Sequence, residues 1–438
     1  MSKILSANTS RPIAISLFAG AGGCSLGFRQ AGYDVRFATD IDRDVVESYR
    51  RNFSGTLCEA LDVRELEPEG LLERVGLRAG ELDILLGGPP CQGFSSAGVK
   101  SGEDPRNSLV RHYVRLLEGV RPKWFVMENV EGLLTNDGGV HVRDAVAAFL
   151  DAGYAVNLEK IYAQGHGVPQ RRKRVLIVGN RLGHDFAFPE SVSRFSGSIF
   201  RKGEITFSTA VSDLPPASAD ADCALTHVRP PQNELQVWLR GDAATVTDHF
   251  APALSEIQLA RVCGLQQGQT MKDLPEHLQH ESFRRRAFRR VMDGTPVERR
   301  GGAPSGLKRL YADEPSLTIT SAATREFVHP TENRLLTLRE CTRLQTFPDS
   351  FVFAGSAGSR IQQIGNAIPP MLAQSVAERI ARKYGFQAPY TDAARPALRF
   401  RLTRSEGMSP ALAQTESLLN ELMESKEEQL VLLERPKR

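Results

Sequence analysis

An open α/β fold with a second, smaller and irregular domain is what this sequence predicts, and three observations predict it. Apolar Ile13–Phe18 runs into Ala19-Gly20-Ala21-Gly22-Gly23 and then into an apolar-periodic segment, Leu26–Ala31, which is the order strand, glycine-rich turn, helix. Two more short apolar runs, Ile84–Leu86 and Trp124–Met127, have the length of buried strands and lead directly into residues able to do chemistry. This regular alternation fades near residue 181, where Pro, Ser and Gly begin to punctuate shorter segments.

Composition narrows the class. The chain has 438 residues, 41% hydrophobic and 24% charged, enough for a large core and the balance of an ordinary soluble protein. No apolar run approaches the length of a membrane span and the N-terminus is short and polar, so no membrane contact and a cytoplasmic location are expected. Cysteines at 24, 58, 91, 223, 263 and 341 form no Cys-x-x-Cys pair and sit near no histidine at ligand spacing, so no metal is expected and a reducing compartment fits. The net charge of +3 excludes a global polycation, and any nucleic-acid surface must come from local clustering.

The first strand and its glycine turn leave backbone N–H groups free at a helix start, where a ligand can approach closely. A second strand, Val35–Thr39, ends in Asp40-Ile41-Asp42, and an acid about twenty residues beyond the glycines suits a ribose hydroxyl pair. Ser25 stands where a third glycine would complete the dinucleotide pattern, and at this point a dehydrogenase remains open.

Next comes Asp83–Ser95. Ile84–Leu86 is a buried strand, Gly87 and Gly88 end it, Pro89 and Pro90 stiffen the backbone, and Cys91 follows, ahead of Gln92-Gly93-Phe94-Ser95. An isolated cysteine is by default a small buried hydrophobe. A thiol on a stiff turn just past the carboxyl end of a strand lies where α/β sheets bind ligands.

Asn107–Gly119 is predicted as an amphipathic helix. Trp124–Val130 then repeats the logic of the Cys91 strand, ending in Glu128-Asn129; an acid there can be desolvated and its pKa raised, the plainer alternative being a cap on the next segment. Tyr154–Ala163 and Val175–Gly179 are predicted strands. Between them, in Gly167–Arg174, alternation places Arg172 and Arg174 on one face and Arg171 and Lys173 on the other.

From Arg181 to Arg334 basic and acidic residues balance, but Glu281–Arg309 holds nine basic against three acidic, including Arg284, Arg285 and Arg286. Such an excess suits phosphate contacts; the plainer alternative is a solvated helix face. A final apolar-periodic stretch, Ala411–Leu433, is predicted helical, free to dock on the core, to self-associate or to fray.

Pro89-Pro90-Cys91-Gln92 with Gly93-Phe94-Ser95 closely resembles the catalytic motif of DNA (cytosine-5)-methyltransferases of the bacterial restriction–modification type, and further matches run from Ser16 to Pro370. The resemblance implies an S-adenosylmethionine-dependent methyltransferase (Rossmann-like) large domain with a smaller, irregular target-recognition domain. It places the methionine part of S-adenosyl-L-methionine at Phe18, Gly20, Gly22 and Gly23, the ribose at Asp40, and adenine at Ile41, Asp62 and Val63. Pro90, Leu109 and Asn366 complete the cofactor set, Asn366 lying in Gln363–Pro370, which is similar to the family's tenth motif. Two departures stand out: Ile41 replaces a commonly larger or aromatic residue, and Leu61 a usual glycine.

The same resemblance implies Cys91, Glu128, Arg172 and Arg174 as catalytic residues, the last two from Gln170-Arg171-Arg172-Lys173-Arg174. For DNA contact it implies Gln92, Ser95, Gln170 and Thr318, beside the basic Arg284, Arg285 and Arg286. Arg334–Asp349 is similar to the ninth motif, which organises the recognition domain. The expected division is therefore 11–190 plus 355–387 for a discontinuous catalytic domain, 191–354 for target recognition and 388–438 for a tail. The implied activity is methylation of carbon 5 of a flipped cytosine in double-stranded DNA, by a monomer accompanied by a restriction endonuclease for the same site. An RNA (tRNA) cytosine methyltransferase and a non-catalytic DNA-binding relative are the alternatives.

Overall fold

The computed structural model describes residues 11–90, 108–190, 205–281, 283–284, 306–387, 397–403 and 408–434. Cys91, Gln92, Ser95, Arg285 and Arg286 lie outside the described residues.

Seven strands from the first half of the chain build the central sheet: β1 (Ile13–Leu17), β2 (Asp34–Asp40), β3 (Leu57–Ala60), β4 (Ile84–Gly87), β5 (Trp124–Asn129), β6 (Ala155–Tyr162) and β7 (Lys173–Asn180). An eighth, Leu398–Arg401, comes from the end of the chain. The order is Leu398–Arg401, β6, β7, β5, β4, β1, β2, β3. β7 runs antiparallel to both neighbours, and the other pairings are parallel. Strand order reverses at β1, which lies between β4 and β2, so the crevice beyond the carboxyl ends of β1 and β4 is the switch point where such sheets bind ligands.

Side-chain alternation divides the sheet between two cores. Ala14, Ile84, Leu86, Trp124, Val126, Leu176 and Val178 face one. Ile15, Leu17, Leu85, Phe125, Met127, Val175 and Ile177 face the other. Both faces are covered, which is why these strands are continuous apolar runs and not alternating ones. Helix α1 (Gly23–Gln30) packs on Pro370–Arg379 at unusually close range: a Cβ at Gly23 would lie 2.4 Å from Ile368 O, and one at Gly27 2.4 Å from Pro370 O. This contact brings the 355–387 region back onto the sheet.

The expected division into domains is not a break in packing. Phe207, Val211, Leu235, Val246, Ile319, Leu336 and Leu344, all from the recognition interval, share the first sheet core. A small separate core forms from Val262, Leu265, Met271, Leu274, Phe283, Leu307 and Val328.

Of the outcomes left open for the tail, the structure shows docking on the core. Leu398–Arg401 pairs in parallel with Val156–Glu159 at the sheet edge. Helix Pro410–Glu434 buries Leu412 and Leu419 in the second core. Its Thr415 hydroxyl donates to Leu134 O. A Cβ at Gly139, whose φ is +86°, would lie 2.2 Å from Thr415 Oγ1, so only glycine fits there. Leu398–Arg401 and Pro410–Glu434 therefore pack as part of the sheet domain. Alternate strand positions and helical spacing carried enough apolar residues to dock, but no local signal said against what.

Candidate active site

At the switch point lies a cleft of about 690 Å³, within the usual size of a small-molecule site. Phe18, Gly20, Gly23, Asp40, Ile41, Asp62, Val63, Pro90, Leu109, Glu128, Arg174 and Asn366 line it. Eight separated stretches of sequence thus meet around one space.

The glycine turn is built for approach. Phe18 adopts φ +51°, a left-handed conformation rare for a bulky residue, and follows directly on β1. Gly20 has φ +54° and nothing within 4 Å of where a Cβ would point. Its N–H donates to Asp40 Oδ2 at 3.0 Å, across twenty residues of sequence. Asp40 also accepts from Asp42 N at 3.1 Å. Burial raises the Asp40 pKa while these backbone donors oppose the shift. Ile41 beside it is 67% exposed and lines the cleft, an apolar surface without a protein partner over most of its area. Gly22 is different: a Cβ there would meet the Phe53 ring at 2.4 Å, so this glycine serves the fit of α1 against α2 (Arg43–Asn52) and does not line the cleft.

Asp62 lines the far end. Its carboxylate accepts from Arg64 Nε at 3.0 and 2.9 Å and from Arg64 N at 2.9 Å. The hydrogen bonds from Arg64 hold its pKa below the ordinary carboxylate range.

On the opposite side, Glu128 at the end of β5 faces Arg174 on β7, with Nε 2.5 Å from Oε1. The register sets this up: Glu128 pairs with Leu176 across the antiparallel ladder, leaving Arg174 just beyond, on the same face of the sheet. Burial pushes the Glu128 pKa up, against the pull of Arg174, and the same burial pushes Arg174 down. Asn129 ties β5 to the Pro89 turn: its Nδ2 donates to Pro89 O at 3.0 Å and its Oδ1 accepts from Val130 N at 2.9 Å.

Four more expected site residues are engaged by other groups of the protein. Arg172 is fully buried and does not line the cleft. Its guanidinium donates to Ile319 O at 3.0 Å, Gly365 O at 2.7 Å and Ala367 O at 2.9 Å. The expected shared face with Arg174 fails because β7 begins at Lys173, and parity along a strand does not extend to the turn before it. Gln170 is likewise buried, donating to Leu344 O at 3.2 Å and accepting from Ile319 N at 2.9 Å. Thr318 is accessible, but its single hydroxyl proton goes to Arg171 O at 2.7 Å. Arg284 is ion-paired with Glu276.

The cleft also contains residues that sequence reasoning missed: Cys24, Arg64, Ser359, Gln362 and Gln363. Ser359, Gln362, Gln363 and Asn366 lie at helical spacing on Ala357–Asn366, a signal that would have found the first three once Asn366 was assigned. Among the described residues no cluster could hold a metal ion.

A mostly parallel sheet with the cleft at its switch point, an acid at the end of β2 and a buried carboxylate at the end of β5 defines a Rossmann-like, S-adenosylmethionine-dependent methyltransferase. The chain belongs to the C-5 cytosine-specific DNA methylase family, whose model matches residues 13–382. It is 32% identical over 422 residues to the Type II methyltransferase M.AgeI of Thalassovita gelatinovora, covering 84% of this chain and 98% of that one. It is 33% identical over 373 residues to the Type II methyltransferase M1.HphI of Haemophilus parahaemolyticus, covering 84% and 86%. Among solved structures, a candidate DNA modification methyltransferase encoded within an E. coli prophage superposes with a TM-score of 0.66 at 25% identity, over 85% of this chain and 99% of that one. The family is defined by DNA cytosine, and the RNA alternative has no comparable support.

Proposed function

We propose that this chain methylates carbon 5 of cytosine within a short sequence of double-stranded DNA, as the modification half of a restriction–modification pair. The observation that carries the reading is the cleft, where the strained Phe18 turn, the Asp40 carboxylate, exposed Ile41 and the Glu128–Arg174 pair face one space.

The residues present fit S-adenosylmethionine. Asp40 keeps acceptor capacity for ribose hydroxyls, Ile41 offers an apolar face for adenine, and Gly20 leaves room beside the backbone for the methionine part. Bound there, this donor supplies an electrophilic methyl group for carbon 5.

The chain's own residues prepare that carbon. Carbon 5 of cytosine is a poor nucleophile. Cys91, the residue after cleft-lining Pro90, attacks carbon 6 as a thiolate and pushes electron density toward carbon 5. Glu128, whose pKa burial raises against the pull of Arg174, gives a proton to ring N3 as the adduct forms. Arg174 then faces a carboxylate, and its charge stabilises the adduct. After methyl transfer, loss of the carbon 5 proton to solvent and expulsion of the Cys91 thiolate restore the ring double bond, and ring N3 returns its proton to Glu128. A stacked base is out of reach of the cleft, so the nucleotide must leave the duplex. Ser95, Gln92 and the basic Arg285 and Arg286 are assigned to DNA contact on sequence grounds.

The relatives carry the Type II name, which supports a companion endonuclease acting on the same site. We assign the chain to a reducing cytoplasm, acting as a monomer. The test is transfer of labelled methyl from S-adenosylmethionine to duplex DNA and to RNA in parallel. Incorporation into DNA, abolished by Cys91→Ala with DNA binding retained, is the expected result. Label in RNA alone, or turnover by Cys91→Ala, would refute the substrate or the nucleophile.

A further inference from the structure

The helix Ala357–Asn366 lines the cleft with four polar side chains, Ser359, Gln362, Gln363 and Asn366, of which the sequence pointed to the last alone. Gln363 is committed to the protein. Its Oε1 accepts from Ser48 Oγ at 2.6 Å, and its Nε2 donates to Ala354 O at 2.9 Å and to Ser359 Oγ at 3.1 Å. Gln362, by contrast, is exposed and lines the cleft with no hydrogen-bond partner among the described residues.

The packing at the two ends of this helix decides which part of the cleft Gln362 faces. The carboxyl end lies against the glycine turn, where a Cβ at Gly23 would be 3.4 Å from Ala367 Cβ. The amino end is tied to α2, which starts directly after Asp40-Ile41-Asp42. There Ser48 Oγ also accepts from Ala354 N at 2.8 Å, and a Cβ at Gly355 would strike the Asp44 carboxylate. Gln362 comes four residues before Asn366, about 6 Å back along the axis on the same side. It is therefore displaced from the glycine turn toward the end of β2, where Asp40 stands.

Asp40 meets only half of what a ribose diol needs. A carboxylate accepts hydrogen bonds, whereas each ribose hydroxyl has both a proton to give and an oxygen that accepts. The two cleft arginines cannot supply the missing donor, since Arg64 is paired with Asp62 and Arg174 with Glu128. A carboxamide offers two N–H donors. We propose that Gln362 is a second ribose-binding residue for the methyl donor, its Nε2 donating to a ribose hydroxyl oxygen while Asp40 accepts the hydroxyl protons. The proposal rests on the function inferred above, with Asp40 at the ribose.

The experiment is equilibrium binding of the full-length protein to S-adenosylhomocysteine and to its 2′-deoxy and 3′-deoxy forms, comparing wild type with Gln362→Leu. S-adenosylhomocysteine should bind the variant about 3- to 10-fold more weakly, the worth of one neutral hydrogen bond. With the analogue that lacks the hydroxyl Gln362 meets, wild type and variant should bind within about twofold of each other. Should Gln362→Leu lose its cooperative melt, Gln362→Ala carries the same comparison. Unchanged affinity for S-adenosylhomocysteine in the folded variant, or a loss of equal size for all three ligands, overturns the proposal and leaves the assignment of the cleft standing. Failure of wild type to bind S-adenosylhomocysteine at all overturns the reading of the cleft, and the proposal with it.

Discussion

Two buried glutamates at two ends of the molecule carry the same side chain in opposite electrostatic states. Glu340, on Leu338–Leu344, is 1% exposed and fully neutralised. Arg334 reaches it through both terminal nitrogens, at 2.9 and 2.7 Å, and Thr337 N donates at 2.8 Å. Burial opposes its ionisation, yet these partners bring its pKa down to about 2. Glu128 sits in the cleft with Arg174 alone set against it among the described residues, and there burial wins and the pKa rises. The two differ in the number of partners: Glu128 is the more exposed of the pair, yet its pKa is the one that rises. A carboxylate that has a bidentate arginine and a backbone donor is an anchor; one left under-compensated beside a cavity has its pKa moved toward the range where protons are exchanged.

Removing each carboxylate should separate the two roles. Glu128→Gln is expected to cost at least about 100-fold in methyl transfer rate, the usual worth of a positioned proton donor, while its melting temperature stays near that of wild type. A near-normal rate would strip Glu128 of its proton role. Glu340→Gln should do the reverse, destabilising by about 1.5–3 kcal/mol because Arg334 loses its bidentate buried partner and keeps only the half-exposed Glu332. Thermal melts and rates on the same preparations check both.

The sign of the pH dependence follows from the shift. The folded pKa of Glu340 lies below the ordinary value of 4.5, so its stabilisation is present above about pH 4.5 and is lost as pH falls toward 2. Acid unfolding of Glu340→Gln should accordingly be shallower than that of wild type between those limits. An identical acid limb would mean that the Arg334 pair contributes nothing.

The smallest effect is expected at Arg284, whose charge is already met by Glu276. Arg284→Ala should shift the slope of log affinity against log salt by well under the roughly 0.9 expected for a lost phosphate contact. A full unit would mean that Arg284 exchanges Glu276 for DNA.

Much of the large domain was legible because its signals are local. Continuous apolar strands, the glycine turn before α1, Asp40 ending β2 and Glu128 ending β5 each declare themselves within a few residues. The jobs of Arg172 and Gln170 were not legible, because their partners, Ile319, Leu344, Gly365 and Ala367, are backbone groups nearly 150 residues or more away, and backbone carbonyls have no sequence signature. The tail was half legible: spacing predicted the helix, but its seat depends on Gly138 and Gly139, glycines that look like any turn until Gln414 and Thr415 are seen against them. In the recognition interval short bridges replace long strands, and base-reading contacts leave no periodicity to detect.

The most direct measurement is bisulfite sequencing of unmethylated genomic DNA after incubation with the protein and S-adenosylmethionine, beside the same reaction with Glu128→Gln. Protected cytosines confined to one short recurrent sequence, at greatly reduced yield with the variant, are the predicted result. Absence of protected cytosines from a wild-type protein that binds the donor would contradict the assignment of this cleft to cytosine methylation in DNA.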